Sequence, residues 1–471
     1  AWDYMTETPL VFLYNAFMIF MTFSIVYLFR RRVFVRIIIS VLWMVLGVCN
    51  GYMLLKRVTP FNAQDLKVAT DAVSLINNYF NPFELVILSV GIVAVVVWVI
   101  SMWRRGGQYE GKLHRVVALI GVFVCFGIYS VLTTAALDKR VISNYFGNIA
   151  FAYEDYGYPY CLATTIFNTG ISQPRDYSEE EIKRIEKTES NLPETKEDGK
   201  RPNILFLQLE SFFDVNKVKD LELSEEATPI FNQLKKEYPS GFLSVNNVGY
   251  GTANTEFEMM TGMNLEDFGP GEFPYKTILK ETTCESIAYV LRDYGYTSHV
   301  VHNNNASFYS RNQVFKNLGI NTFTSVEYMN PTEYTPLEWV KDKILTQQIM
   351  DVLESTDEQD FIYTISVQGH GTYPSYQVIE EPLITVSGIE DEERRNQFEY
   401  YVNQIKEMDD FIGELTDTLS KFDEDIILVM YGDHLPSLEL TEDELTNANL
   451  YQTEYVIWSN FGFDMPNEDL E

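Results

Sequence analysis

Thr252 stands in the stretch Gly249-Tyr250-Gly251-Thr252-Ala253-Asn254-Thr255-Glu256-Phe257, where two glycines precede a hydroxyl at the entry to a helix. Glycine permits backbone conformations that a side chain forbids, so the stretch reads as a flexed turn presenting the Thr252 hydroxyl. Free threonine is a weak nucleophile and acts only when a base or a cation lowers its effective pKa. Elsewhere the chain offers Glu210, Asp433 and His434, which with Thr252 make three oxygens and one imidazole. That mixed donor set suits one divalent cation, manganese (Mn2+) first, with magnesium (Mg2+) or zinc (Zn2+) admissible, and suits soft metals poorly.

These residues must be brought together by the elements that carry them. Glu210 closes the apolar run Asn203-Ile204-Leu205-Phe206-Leu207-Gln208-Leu209, and Asp433-His434 follow the similar run Asp425-Ile426-Ile427-Leu428-Val429-Met430-Tyr431-Gly432. Continuous apolar runs suit strands buried on both faces of a parallel sheet, and ligands collect at the carboxyl ends of such strands. The pattern therefore predicts that all four donors converge.

At these positions the sequence resembles the lipoteichoic acid synthase-like phosphoglycerol transferases, a membrane branch of the alkaline phosphatase and sulfatase superfamily. The likeness rests on Leu209-Glu210-Ser211, on Gly251-Thr252 with Thr255-Glu256-Phe257, on His302 with Tyr309-Ser310-Arg311-Asn312, and on Gly432-Asp433-His434. The resemblance implies that Glu210, Thr252, Asp433 and His434 bind one cation and that Thr252 is the nucleophile. It also implies an anionic phospholipid donor of the phosphatidylglycerol kind and, as acceptor, a glycolipid or a glycerophosphate polymer. A phosphoethanolamine transferase or a sulfatase-like hydrolase is the rival on the same fold, and a non-catalytic membrane scaffold or sensor the rival of another class. Sulfatases that rely on formylglycine need a cysteine or serine, which Thr252 cannot replace.

Further site candidates follow other strands. His370 lies in Gln368-Gly369-His370-Gly371 beyond an apolar run; the resemblance makes it a phosphate contact, and imidazole can protonate a leaving alkoxide. His302 ends the run Thr297–His302 and is a candidate pocket residue, whereas His299 reads as structural. Arg311 is read equally as an anion binder or a loop-fixing guanidinium. Trp339, with Lys341 two residues on, is similar to a tryptophan and basic pair that contacts the glycerophosphate group in the resembling family. Asp409, Asp410 and the run Glu390 to Glu393 read as solvated surface.

The composition divides the chain. The 471 residues carry a formal charge of −32, from 67 acidic and 35 basic residues, which argues against nucleic acid as a partner. Residues 9–29, 33–55, 83–103 and 116–132 are apolar runs of bilayer-crossing length. Arg30, Arg31, Arg32 and Arg36 follow the first run, and Arg104, Arg105, Lys112 and Arg115 follow the third. Basic clusters stay on the cytoplasmic side, so the expectation is a multi-pass cell-membrane protein with its catalytic domain extracellular. Of four cysteines, Cys161 and Cys284 fall in the outer part, where a disulfide is chemically admissible.

The expected organisation is a transmembrane domain over 1–136, a juxtamembrane segment and charged linker over 137–200, and a catalytic domain over 201–471. Strands are expected at 204–209, 241–245, 297–302, 361–367, 426–431 and 455–459, alternating with helices. The fold class is thus an N-terminal α-helical transmembrane domain plus an extracytoplasmic α/β sulfatase-like domain with a mainly parallel central sheet. The resemblance further implies one more span before Ala1 and a catalytic domain truncated at its C-terminus.

Overall fold

The computed structural model describes residues 2–56, 60–63, 65, 82–143, 146, 149–168, 170–171, 177–189, 201–269 and 271–462. Of the juxtamembrane segment and charged linker expected over 137–200, residues 144–145, 147–148, 169, 172–176 and 190–200 lie outside the described residues. Two units pack separately: Ala1–Gly170 with Phe268–Glu272, and Ile171–Asp267 with Phe273–Glu471.

In the first unit, Pro9–Leu28, Arg32–Leu55, Leu85–Arg105 and Arg115–Asp138 are helical segments long and apolar enough to cross a membrane. The first runs as α-helix over Pro9–Thr22 and tightens to a 3-10 helix over Phe23–Leu28. The two basic clusters lie at the same end of this unit. Tyr109 N–H donates to the Arg30 carbonyl at 2.8 Å, and the Arg32 guanidinium lies 3.6 Å from the centre of the Tyr109 ring.

The unit reaches past the boundary expected at 136. Helices Ile149–Tyr156 and Tyr158–Phe167 return to the first span, and Tyr153, Tyr160 and Cys161 join Tyr14 in one buried cluster. Part of the segment expected to be juxtamembrane is therefore core of this unit. Asn15 fixes the arrangement: its Oδ1 accepts from Tyr160 N–H at 2.9 Å and its Nδ2 donates to the Tyr156 carbonyl at 2.8 Å. All four cysteines are free.

The second unit is built on nine strands, β1 (Asn203–Leu209), β2 (Glu222–Leu223), β3 (Ser240–Ser244), β4 (Thr297–His302), β5 (Thr322–Ser325), β6 (Asp360–Ile365), β7 (Val386–Ser387), β8 (Ile426–Gly432) and β9 (Gln452–Ser459), among the described residues. Seven form the main sheet in the order β3-β9-β8-β1-β6-β4-β5, and β2 pairs with β7. From β8 through β5 every pairing is parallel, while β9 runs antiparallel to both β8 and β3. The apolar runs explain the middle of this sheet: β6 is buried at every position, and Leu205, Leu207 and Leu209 of β1 are buried.

Long helix Glu392–Leu419 packs against helix Pro229–Glu237. Asp409, read as solvated surface, is instead buried. Its carboxylate accepts from Ile230 N–H at 2.9 Å and Phe231 N–H at 2.8 Å. It thus caps a neighbouring helix whose own Thr228 makes no side-chain cap, a contact worth about 1 kcal/mol by analogy with local caps.

Candidate active site

Parallel pairing places the ends of β1 and β8 side by side, with Leu209 opposite Gly432. Glu210 and Asp433 are the next residue on each strand, and Asp433 N–H still donates to the Leu209 carbonyl at 3.1 Å. The chain then turns sharply at Ser211, a non-glycine residue with φ of +53°. This strained conformation is held from two sides: Ser211 N–H donates to Asp433 Oδ1 at 2.7 Å, and Tyr401 Oη–H donates to the Ser211 carbonyl at 2.6 Å.

Thr252 arrives from the opposite direction as the first residue of helix Thr252–Thr261, at the helix entry that the glycine pair suggested. Gly251 caps that helix with φ of +103°, and a Cβ there would stand 2.6 Å from the Asn247 side chain, so glycine is required at the turn. Thr252 Oγ1 donates to Glu210 Oε2 at 2.9 Å, and Thr255 Oγ1 donates to the Asp433 carbonyl at 2.8 Å. The first turn of this helix is therefore fastened to both metal-candidate strands.

Glu210, Asp433 and His434 bring one ligand atom each within 4.8 Å of one another, and all three are buried. His434 Nδ1–H donates to the Leu435 carbonyl at 2.9 Å, which fixes the tautomer and leaves the Nε2 lone pair toward the carboxylates. Nε2 lies 3.6 Å from Glu210 Oε1 and 3.5 Å from Asp433 Oδ2. Burial, then the nearby Glu210 charge, raises the Asp433 carboxyl well above the usual carboxylate range. Burial lowers His434 below the usual histidine value.

Asp433 Oδ2 and His434 Nε2 are both buried without a hydrogen-bond partner. Two orphaned acceptors beside a second carboxylate are unfavourable in a dry interior. A divalent cation satisfies all of them, so the residues present fit such a group.

The other candidates form a wall rather than a ring of free contacts. His370 Nδ1–H donates to the Gly371 carbonyl at 2.5 Å, and its ring centre lies 4.6 Å from that of Trp339. Gly369 earns its place by contact with the protein: a Cβ there would meet the Glu210 carbonyl oxygen at 2.1 Å. Asp342, passed over in the sequence, pins this loop, its Oδ1 accepting from Val367 N–H at 3.1 Å, Gln368 N–H at 3.2 Å and Asn303 Nδ2 at 2.8 Å.

Lys341 and His302 are engaged elsewhere. Lys341 Nζ donates to Glu407 Oε1 at 2.8 Å. His302 is buried, its Nδ1–H donating to the Ile365 carbonyl at 2.8 Å and its Nε2 accepting from Arg311 Nη1 at 3.2 Å. Arg311 itself grips the buried Glu256 carboxylate through both Nε and Nη2, so it serves as an internal brace. His299 lies between Thr322 and Asp360.

Residues 202–468 match the sulfatase family model, more than half of the chain. The chain belongs to the sulfatase family. Beyond that family model, the chain is similar to proteins named lipoteichoic acid synthase. It is 28% identical over 325 residues to a putative cyclic beta-1,2-glucan modification protein of Rhizobium meliloti, covering 65% of this chain and 49% of that one. It is 27% identical over 253 residues to the lipoteichoic acid synthase of Staphylococcus saprophyticus, covering 50% and 36%. The chain thus spans about half or less of the length of these curated relatives. Among solved structures, the Streptococcus pyogenes phosphoglycerol transferase GacH in complex with sn-glycerol-1-phosphate shares the fold, with TM-score 0.54 and 24% identity over 62% of this chain and 78% of its own.

Proposed function

We propose that this sulfatase-family protein is a membrane-anchored phosphoglycerol transferase with Thr252 as its nucleophile. The observation that carries the reading is the 2.9 Å hydrogen bond from Thr252 Oγ1 to Glu210 Oε2 beside the buried Asp433 and His434. Glu210, Thr252, Asp433 and His434 would hold a divalent cation, for which manganese suits the oxygen-rich donor set. When bound, that ion supplies positive charge that lowers the proton affinity of the Thr252 hydroxyl and offsets phosphate charge.

The chain's own groups carry the rest. Thr252 Oγ1 attacks the phosphorus of a phosphatidylglycerol-like donor, its proton passing to the Glu210 oxygen already accepting it. A Thr252–O–P bond forms as the bond from phosphorus to the diacylglycerol oxygen breaks. His370, with Nδ1 held by Gly371, gives the departing alkoxide a proton from Nε2. An acceptor hydroxyl then attacks phosphorus and returns a proton to His370, and the Thr252–O–P bond breaks with Thr252 regaining its proton from Glu210. One phosphodiester is exchanged for another, with no net redox change. The N-terminus of helix Thr252–Thr261 adds favourable potential for the anionic group.

Covalent linkage to four bilayer-length helices supports a lipid donor in the outer leaflet, with the catalytic domain outside the cell. The name of the Rhizobium relative supports a saccharide hydroxyl as acceptor, beside the glycolipid or glycerophosphate polymer that lipoteichoic acid synthases suggest. The assembled donor set favours an enzyme over a scaffold. Purified protein given manganese and phosphatidylglycerol with a fluorescent acyl tail should release fluorescent diacylglycerol. Absence of release with phosphatidylglycerol, but release from a phosphatidylethanolamine donor, would reassign the head group to phosphoethanolamine.

A further inference from the structure

Beneath Thr252 lies a buried polar assembly that the mechanism above does not use. Gln208 is a polar residue inside β1, whose other residues after Asn203 are all apolar, and it stands two residues before Glu210, so the two side chains leave the same face of the strand. Gln208 Nε2 donates to the Thr252 carbonyl at 3.1 Å. Its Oε1 accepts from Tyr363 Oη–H at 2.6 Å and lies 3.2 Å from Tyr431 Oη, and the two tyrosine oxygens are 2.6 Å apart. Gln208, Tyr363 and Tyr431 are all fully buried.

The donor and acceptor inventory fixes the amide. A carbonyl has no proton to give, so the nitrogen must face Thr252, and the oxygen must face the two phenols. The phenols come from β6 and β8, the neighbours of β1 on either side. The amide is therefore aligned by three adjacent strands and cannot rotate without leaving buried groups unpaired.

We propose that Gln208 is a positioning residue that sets the Thr252 hydroxyl relative to Glu210, with Tyr363 and Tyr431 aligning its amide. β1 then carries both the carboxylate that meets the hydroxyl and the amide that holds the backbone of the same threonine. The distance between nucleophile and site is referred to a single strand. Thr255 on the Asp433 carbonyl performs the matching task from β8, and the Gln208 bond resists rotation of the first helical turn about that second contact. This inference rests on the reading of Thr252 as the nucleophile.

The test uses full-length protein in detergent with the fluorescent phosphatidylglycerol donor. Gln208→Met keeps volume and removes both hydrogen-bonding ends. It should lower kcat about 10- to 100-fold, as expected for displacement of an attacking atom by part of an ångström, with KM for the donor within about twofold. Tyr363→Phe, which leaves Tyr431 on the amide, should give a smaller loss. Adding Gln208→Met to Thr252→Ala should leave the residual rate unchanged, because no hydroxyl remains to be placed; a general disturbance of the pocket would lower it further. Well-folded Gln208→Met protein with wild-type kcat would overturn the proposal, and so would a further loss in the Thr252→Ala background. A wild-type protein that never forms diacylglycerol would remove the nucleophile reading itself, and this inference with it.

Discussion

Thr255 and Asp433 are joined by a hydrogen bond of 2.8 Å from a side-chain hydroxyl to a backbone carbonyl, across 178 residues of chain. It fastens the helix that begins at Thr252 to the strand end that carries two metal-candidate donors. Placement of Thr252 is thus a property of tertiary contacts, and variants in this region should separate chemistry from folding.

Thr252→Ala removes the attacking oxygen and leaves Glu210, Asp433 and His434 in place. Diacylglycerol release should fall by several orders of magnitude while donor binding persists. Thr252→Ser should retain partial activity. Release at the wild-type rate from Thr252→Ala would exclude the covalent route.

Chelation should abolish turnover, and manganese should restore it. The ion should also raise Tm, since a ligand at about 100 times its Kd stabilises by about 2.7 kcal/mol. His434→Ala and Asp433→Asn should both shrink that thermal shift. A shift of wild-type size in both variants would place the ion elsewhere.

His370→Ala should lower kcat by about 10²- to 10⁴-fold if the imidazole protonates the leaving group. Manganese binding, followed by calorimetry, should be unchanged. A donor whose leaving alcohol is more acidic should recover much of the rate in the variant. Equal losses with both donors would assign His370 to binding alone.

Stability should depend on pH through Asp342 and Asp409. Burial raises both carboxyls from 3.8 to about 6. The folded state therefore holds protons that the unfolded chain has lost, and the stability each contributes is fully present below about pH 4 and is lost as pH rises through about 6. Asp342→Asn keeps an acceptor oxygen and removes its share of this dependence. Relative to wild type it should match at pH 4 and gain up to about 3 kcal/mol at pH 7.5, from a shift of about two units. Parallel urea curves at both pH values would show the carboxyl to be unperturbed.

Orientation can be read by labelling. In a cysteine-free background, a cysteine placed within 190–200 should react with an impermeant thiol reagent in intact cells, and one within 106–110 should not. The contact of Tyr109 with Arg30 puts both basic clusters on one side, so a cysteine placed beside Arg30 should behave like the second. The reverse pattern would invert the chain in the membrane.

The sheet, Glu210 and the Asp433-His434 pair were legible because they rest on continuous apolar runs, a signal that survives without tertiary information, whereas Thr252 was legible from the glycines that precede it at a helix entry. β5, only four residues at the sheet edge with Thr322 exposed, left no such run. Asp409 was misread because charge in a long amphipathic helix ordinarily faces water, and its partner, the start of helix Pro229–Glu237, is remote in sequence. Lys341 and His302 were read by type and position near a strand end or tryptophan, and neither reveals that Glu407 or Arg311 already occupies them. Gln208 did leave a trace, as an amide in a strand otherwise suited to full burial.

Asn15 changes what the helical unit can be. An apolar span whose only task is retention can be exchanged for any hydrophobic stretch of equal length, but this one uses its amide to fasten Tyr156 and Tyr160. Replacing Pro9–Leu28 by an all-leucine helix would preserve insertion while leaving the Tyr158–Phe167 helix without its polar latch. The first span is a fitted part, not a portable anchor.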